Sequence, residues 1–217
     1  MRQIAFTALA VVLPAAALAQ PTAAIDITNE QVQSVNASPG TDRQLRIVDM
    51  GTYNLAVGIV HRGPTAPAAG AARGAGGGAA RGAAGGGGRG NAPAPVPCGV
   101  SSGTPSGARG IAHDATTETY IIVSGSGTLI TGGSIMNGTR SAPDSQVTAI
   151  LNGPSCSGAI VGDVVSRVVK TGDIIIIPAG VPHGFTDIAD HVDYLSVRPD
   201  PDKVLEEGYV HPLLAKP

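Results

Sequence analysis

The sequence predicts an all-β fold of the antiparallel sandwich or barrel type. Short apolar or alternating runs dominate the second half of the chain, and Gly, Pro, Asn and Asp separate them. No long helical pattern interrupts these runs. The predicted strands cover residues 45–49, 54–62, 111–113, 118–123, 128–130, 147–151, 164–169, 174–177 and 192–197. Because residues 174–177 are all isoleucine, we expect both faces of that strand to be covered.

Residues 1–19 have the pattern of a cleavable signal peptide. Arg2 supplies a basic start, an apolar stretch follows, and small residues precede Gln20. The stretch contains Pro14 and is shorter than the roughly 20 apolar residues of a membrane-spanning helix. We therefore expect a periplasmic or secreted protein without stable membrane insertion.

The rest of the chain is long enough for one domain. Residues 20–44 form an N-terminal segment, residues 45–198 a single β-barrel domain, and residues 199–217 a C-terminal tail. Thr28 and Gln31 have the spacing of a capping box, which predicts a short helix over residues 29–35. On the second predicted strand, alternation places His61 on the face of three apolar residues, which we expect to be the barrel interior: Leu55, Val57 and Ile59.

Residues 63–97 consist mainly of Gly, Ala, Pro and Arg. Such a segment buries too little apolar surface to order itself, so we predict a disordered surface insertion. Arg73, Arg81 and Arg89 recur in it without aromatic residues, which argues against an RNA-binding tract. A balance of 14 basic and 16 acidic residues likewise gives no reason to expect a nucleic acid partner.

The sequence has two cysteines, Cys98 and Cys156. Each lies among Gly, Pro and Ser rather than within an apolar strand. In an oxidising compartment this pattern predicts a disulfide between them.

Two histidines and one glutamate form the candidate metal site. His113 ends one short strand and Glu118 opens the next, so a hairpin can bring the two side chains together. His183 follows a turn, residues 178–182, whose prolines and glycine fix its direction. Two imidazoles and a carboxylate are typical ligands of Zn, Fe, Mn or Ni, with positions left for water or substrate.

These residues lie in two segments that resemble the two motifs of the cupin superfamily, whose members are small jelly-roll barrels. The second motif is matched by Gly172, Pro178, Gly180 and His183, with Asp187 where the motif ends in Asn. The first motif is matched by His113, Glu118 and Gly125. Ile111 stands where the family usually has its first histidine ligand. The resemblance implies a cupin-like barrel in which one of four usual metal ligands is missing.

Three readings of the site remain open. The metal is bound by His113, Glu118 and His183 alone, or His61 joins from another strand, or the metal has been lost and a plain pocket remains. Tyr120 is expected to line the cavity, with its hydroxyl bonded to the backbone or to a substrate. Arg198 is either a surface ion-pair residue or a clamp for a carboxylate substrate.

The resemblance favours a metal-dependent enzyme that acts on a small polar molecule. Oxygenase, isomerase and lyase chemistry all occur on this fold, and the residues do not choose among them. The alternative is a non-catalytic cupin that binds a small ligand or a partner through a degenerate metal site. Cupins often form dimers, so a homodimer is compatible with the resemblance.

Overall fold

The structure is a computed structural model that describes residues 21–65, 96–101, 103–104 and 107–215. The predicted signal peptide and residues 66–95 of the predicted insertion lie outside the described residues. Both of these predictions therefore stay predictions. In the described part of the chain, no helix is long and apolar enough to cross a membrane.

Strands dominate the described residues, which confirms the predicted all-β class. The elements in chain order are α1 (Asn29–Asn36), β1 (Asp42–Asp49), β2 (Asn54–Arg62), β3 (Pro97–Cys98), β4 (Arg109–His113), β5 (Glu118–Arg140), a π-helix (Val147–Leu151), β6 (Ser155–Lys170), β7 (Ile174–Ile177), β8 (His183–Thr186) and β9 (Val192–Asp200). All strand pairings between these elements are antiparallel.

Strand β5 belongs to two sheets and joins them. Its first part pairs with β7 and β9, and β9 continues the sheet to β2 and β1. From Ser126 onward β5 pairs with β6 and β8. The chain changes sheets at Gly125, where φ is 71° and a Cβ atom would lie 2.0 Å from the His191 carbonyl oxygen, so only glycine fits. The predicted strands 118–123 and 128–130 are thus parts of one long strand.

The main hydrophobic core lies between the two sheets and draws side chains from both. It is formed by Val60, Tyr120, Ile122, Leu129, Val169, Ile177, Phe185, Ile188, Val192 and Tyr194. A barrel interior filled by side chains from β2, β5, β6, β7, β8 and β9 confirms the cupin-like barrel expected from the motifs.

Helix α1 packs on the outside of the barrel. The predicted capping box is present, with the Thr28 side chain accepting from the Gln31 backbone N–H and the Gln31 side chain accepting from the Thr28 backbone N–H. Val35 of this helix is buried against Leu45 and Ile59. The helix therefore covers the outer face of β1 and β2.

This packing overturns the predicted orientation of β2. Ile59, and with it His61 by alternation, turns toward the helix side rather than toward the interior. The inward face carries Val60, which belongs to the main core, and Gly58, where a Cβ atom would lie 3.1 Å from Arg198 Nη1. Alternation identified the two faces of the strand, but both are apolar, so the pattern did not show which one faces inward.

One further strand prediction is wrong, and so is the expected burial of a strand that was predicted correctly. Val147–Leu151 forms a π-helix, because a short apolar run is compatible with either kind of structure. Ile174 and Ile176 of β7 are 61% and 69% exposed, although both faces of this strand were expected to be covered. Among the described residues β7 pairs only with β5, so it is an edge strand whose inward face alone, with Ile177, reaches the core.

Candidate metal centre

Three strands bring the predicted trio together. His113 ends β4, Glu118 begins β5 and His183 begins β8. The turn before His183 is fixed to β4 by a hydrogen bond from the Gly180 backbone N–H to the His113 carbonyl oxygen, 2.7 Å. Gly180 has φ of 78°, which favours glycine at this position. Gly180 of the second motif is thus bonded to the end of β4, which carries His113 of the first motif.

The three side chains converge on one carboxylate oxygen inside the barrel. Glu118 Oε2 lies 3.1 Å from His113 Nε2 and 2.9 Å from His183 Nε2. One ligand atom from each residue lies within 4.8 Å of the other two, and all three side chains are buried. This is the geometry of a cluster that can hold a metal ion.

Hydrogen bonds at the far side of each ring fix which nitrogen carries the proton. His183 Nδ1 lies 2.9 Å from the Val181 carbonyl oxygen, which only accepts, so Nδ1 is the protonated nitrogen. His113 Nδ1 lies 2.8 Å from Ser155 Oγ, whose own proton is donated to the Gly153 carbonyl oxygen. Ser155 Oγ therefore accepts from His113 Nδ1, and the Nε2 atom of each neutral ring carries a lone pair.

Two unprotonated nitrogens and an anionic oxygen therefore meet at one buried point. Burial lowers the pKa of His113, which keeps that ring neutral in spite of the adjacent carboxylate. His183 Nε2 has no hydrogen-bond partner among the described residues, because the ring does not aim an N–H at the nearby oxygen. Three electron-pair donors at this spacing repel one another unless a cation lies between them, so the residues fit a divalent metal ion.

Glu118 is held in its ionised form by groups on its other side. Its Oε1 atom accepts from Arg198 Nε at 2.6 Å and from the Ser196 hydroxyl at 2.9 Å, while the Tyr120 hydroxyl donates to Oε2 at 2.8 Å. Burial alone would raise the pKa of Glu118, but the Arg198 charge holds that pKa well below its usual range. Arg198 also pairs with Asp42 at 2.7 Å, which leaves the arginine with two carboxylate partners.

The structure corrects the interpretation of three other predicted residues. Arg198 is 1% exposed and supports Glu118, so it is neither a surface ion-pair residue nor a free clamp for a substrate. The hydroxyl of Tyr120 donates to Glu118 rather than to the backbone. His61 does not join the cluster: its Nδ1 lies 2.6 Å from Asp193 Oδ1, on the face of β2 that turns away from the interior.

Ile111 takes the place predicted for it on β4. Its Cα is paired with that of His183 on β8, and it lies two residues before His113, so strand alternation gives both the same face. The described cluster accordingly has three candidate ligands and an apolar residue at the fourth position.

Two serines that complete the site were not identified from the sequence. Ser196 could have been found, since it alternates with Tyr194 and Arg198 along one strand. Ser155 is 42 residues from His113, and no local pattern signals that contact. Its neighbour Cys156 is joined to Cys98 by a disulfide with 6.0 Å between the Cα atoms. The bond anchors the strand end that holds the serine against His113.

Comparisons with known proteins give fold similarity only. No family model and no curated protein matches the sequence. A crystal structure of a protein from Bacillus halodurans is similar, with 11% identity, 88% of this chain and 92% of that chain covered, and a TM-score of 0.40. A protein with a double-stranded β-helix domain from Klebsiella pneumoniae has 14% identity, coverage of 80% and 89%, and a TM-score of 0.36.

An oxalate oxidase in complex with glycolate is also similar, with 14% identity and a TM-score of 0.33, over 76% of this chain and 54% of that chain. At such identities the likeness concerns the fold, and the chemistry has to be argued from the residues of this chain. Its two motifs and its two sheets give the protein a cupin-like β-barrel fold.

Proposed function

We propose that this protein is an exported metal-dependent enzyme that acts on a small polar molecule. His113, Glu118 and His183 are the proposed ligands, and the ion is Fe, Mn, Zn or Ni. The observation that carries the proposal is the convergence of two Nε2 atoms on one oxygen of a buried carboxylate, while Ser155 and the Val181 carbonyl oxygen bond the Nδ1 atoms on the far side of the two rings. Two imidazoles and one carboxylate leave coordination positions for a substrate or water.

The chain's own groups prepare the site in three ways. Ser155 and the Val181 carbonyl oxygen fix the tautomers of the two rings. Arg198 and Ser196 occupy Oε1 of Glu118, so the ion would bind Oε2, which also accepts from the Tyr120 hydroxyl. Burial, and then the Glu118 charge, raise the pKa of Tyr120, so its hydroxyl keeps a proton beside the ligand atoms. A bound ion would polarise a substrate oxygen or activate water or O2.

An open coordination position is what distinguishes an enzyme from a purely structural site. We would load the full chain with Co(II) and record its visible spectrum before and after adding azide. A shift of the bands shows that a small molecule reaches the ion, as the proposal expects. An unchanged spectrum in a protein that has bound cobalt means that the ion is closed to ligands and contradicts the enzyme proposal.

The alternative is a non-catalytic cupin-like protein with a degenerate site. The observation that favours it is burial, since the side chains of His113, Glu118 and His183 are only 2%, 2% and 3% exposed. Ile111 adds to this by filling the fourth position with an apolar group. The alternative expects no metal in the purified protein and no loss of stability when His183 is replaced.

Export is proposed from the residues that precede Gln20 and is supported by the disulfide between Cys98 and Cys156, a bond that persists mainly in oxidising compartments. A fusion of residues 1–25 to a periplasmic reporter tests it. The reporter should be found outside the cytoplasm and should lack the first 19 residues. Retention in the cytoplasm would contradict export. The homodimer remains a prediction.

A further inference from the structure

Arg62 is a second cation on the inward face of β2, at the opposite end from the metal cluster. It is the last residue of that strand, and it continues the face of Gly58 and Val60, which turns toward the interior. Its Cα is paired with that of Val192, the first residue of β9. Arg198, in contrast, lies near the other end of β9.

Two aromatic rings and one hydroxyl hold the guanidinium of Arg62 in place. Its Cζ atom lies 5.5 Å from the centre of the Phe185 ring and 6.0 Å from that of Tyr194. Its Nε donates to the Tyr194 hydroxyl at 2.9 Å. This hydrogen bond and the ring contacts fix the plane of the guanidinium but use only one of its five N–H groups.

No carboxylate forms an ion pair with this cation. All sixteen Asp and Glu residues of the sequence lie in the described part of the chain, and none of them is within ion-pair distance of Arg62. Residues 66–95, which lie outside the described residues, contain no acidic side chain.

Other arginines of the described chain are satisfied differently. Arg198 has Glu118 and Asp42 as partners, and Arg43 donates to the Asn36 side chain and to the carbonyl oxygens of Ser38 and Gly40. Arg62 makes a single hydrogen bond to the described residues. Arg62 is only partly buried, so its remaining N–H groups, in a plane set by Tyr194 and Phe185, can donate to a ligand.

We propose that Arg62 is the anchor of a second binding site, which takes a small carboxylate. A planar carboxylate matches the two parallel N–H bonds that a guanidinium offers, and the rings of Phe185 and Tyr194 shield that pair from water on one side.

This site is separate from the metal cluster. Arg62 is paired with Val192, whereas Arg198, which contacts Glu118, lies six residues further along β9. The Cα atoms of Val192 and Arg198 are therefore roughly 20 Å apart along the strand. The rings of Tyr120, Phe185 and Tyr194 pack on one another between the two ends. Tyr194 and Tyr120 therefore lie between Arg62 and Glu118.

The test is a titration of the full chain with sodium acetate at constant ionic strength. Tyrosine emission is a suitable readout, because the chain has four Tyr and no Trp, and Tyr194 contacts Arg62. Arg62→Gln should weaken acetate binding by at least tenfold, the usual effect of losing a charge-assisted hydrogen bond. Arg62→Lys keeps the charge but not the two parallel N–H groups, so we expect an intermediate loss of acetate affinity.

Two controls separate this site from the surface and from the metal. Arg109→Gln removes an exposed arginine and should bind acetate like the wild type. His183→Ala should also bind acetate normally, whether or not it has lost metal. Equal binding in Arg62→Gln and the wild type, or no acetate binding to a folded wild type, overturns the inference. Binding that survives Arg62→Gln but disappears in His183→Ala also overturns it, while it leaves the proposed metal site standing.

Discussion

Two groups of two histidines and one carboxylate occur in this barrel, and they differ in what the ring nitrogens face. The core group consists of His113, Glu118 and His183. The rim group consists of His61, Asp193 and His191. In the core group both Nε2 atoms turn to the same carboxylate oxygen, whereas in the rim group the two rings bond to different partners.

Hydrogen bonds to described residues occupy three of the four ring nitrogens of the rim group. His61 Nδ1 lies 2.6 Å from Asp193, and His191 contacts Asp190 through Nδ1 and Ser124 through Nε2. The His61 side chain is 44% exposed, so water reaches it. Within the described residues, ligand atoms of three such side chains converge only in the core group.

Residue type alone therefore does not make a metal site. Both groups have the same composition, but only in the core group do a serine and a carbonyl oxygen take the Nδ1 protons. Burial then removes the water that would otherwise satisfy the Nε2 atoms. The rim group lacks this combination of fixed histidine tautomers and a buried, charged carboxylate.

The largest effect is expected from the cation that the core group has and the rim group lacks. Arg198→Met should destabilise the metal-free protein by about 3–5 kcal/mol, because the buried Glu118 charge loses its main partner. Arg140→Met removes an exposed ion pair with Asp114 and should cost at most about 1 kcal/mol. Urea denaturation measures both. Equal costs would mean that Arg198 does not stabilise an ionised Glu118.

A smaller effect is expected from the serine that fixes the His113 tautomer. Ser155→Ala should weaken metal binding by roughly 10- to 100-fold, as for other residues that orient a metal-bound histidine. Ser124→Ala removes the corresponding contact of His191 in the rim group and should leave metal affinity unchanged. Isothermal titration with Zn(II) compares the two variants. A loss of affinity in both would show that the rim group also binds the ion.

The smallest effect concerns the position that lacks a ligand. Ile111→His should tighten metal binding by about tenfold, since a third imidazole would add a fourth protein ligand to the ion. It should also reduce the response of the Co(II) spectrum to azide by filling an open position. Unchanged affinity would mean that residue 111 does not face the ion and that the first motif has been aligned wrongly.

Each half of the core group has a local signal in the sequence, and the resemblance to the two cupin motifs joins the halves. The spacing of His113 to Glu118 follows from a hairpin, and the glycine and prolines before His183 fix a turn. The contacts that activate these residues are not local. Ser155 and Arg198 reach the site from β6 and β9, and Arg198 has the sequence context of a surface residue even though it is 1% exposed.

The errors on β2 and β7 have one physical cause. Alternation divides a strand into two faces but does not say what covers each face. On β2, helix α1 covers the face of Ile59, so His61, on the same face, points away from the interior. On β7 no described strand lies beyond the edge, so Ile174 and Ile176 stay exposed.

We propose that the core group binds a metal ion and that the rim group does not. Elemental analysis of the protein, purified without chelators or metal-affinity resin, tests it most directly when His183→Ala and His61→Ala are run beside the wild type. We expect about one transition metal ion per chain in the wild type and in His61→Ala, and almost none in His183→Ala. An empty wild type that is as stable as His183→Ala, or metal retained in His183→Ala, would contradict it.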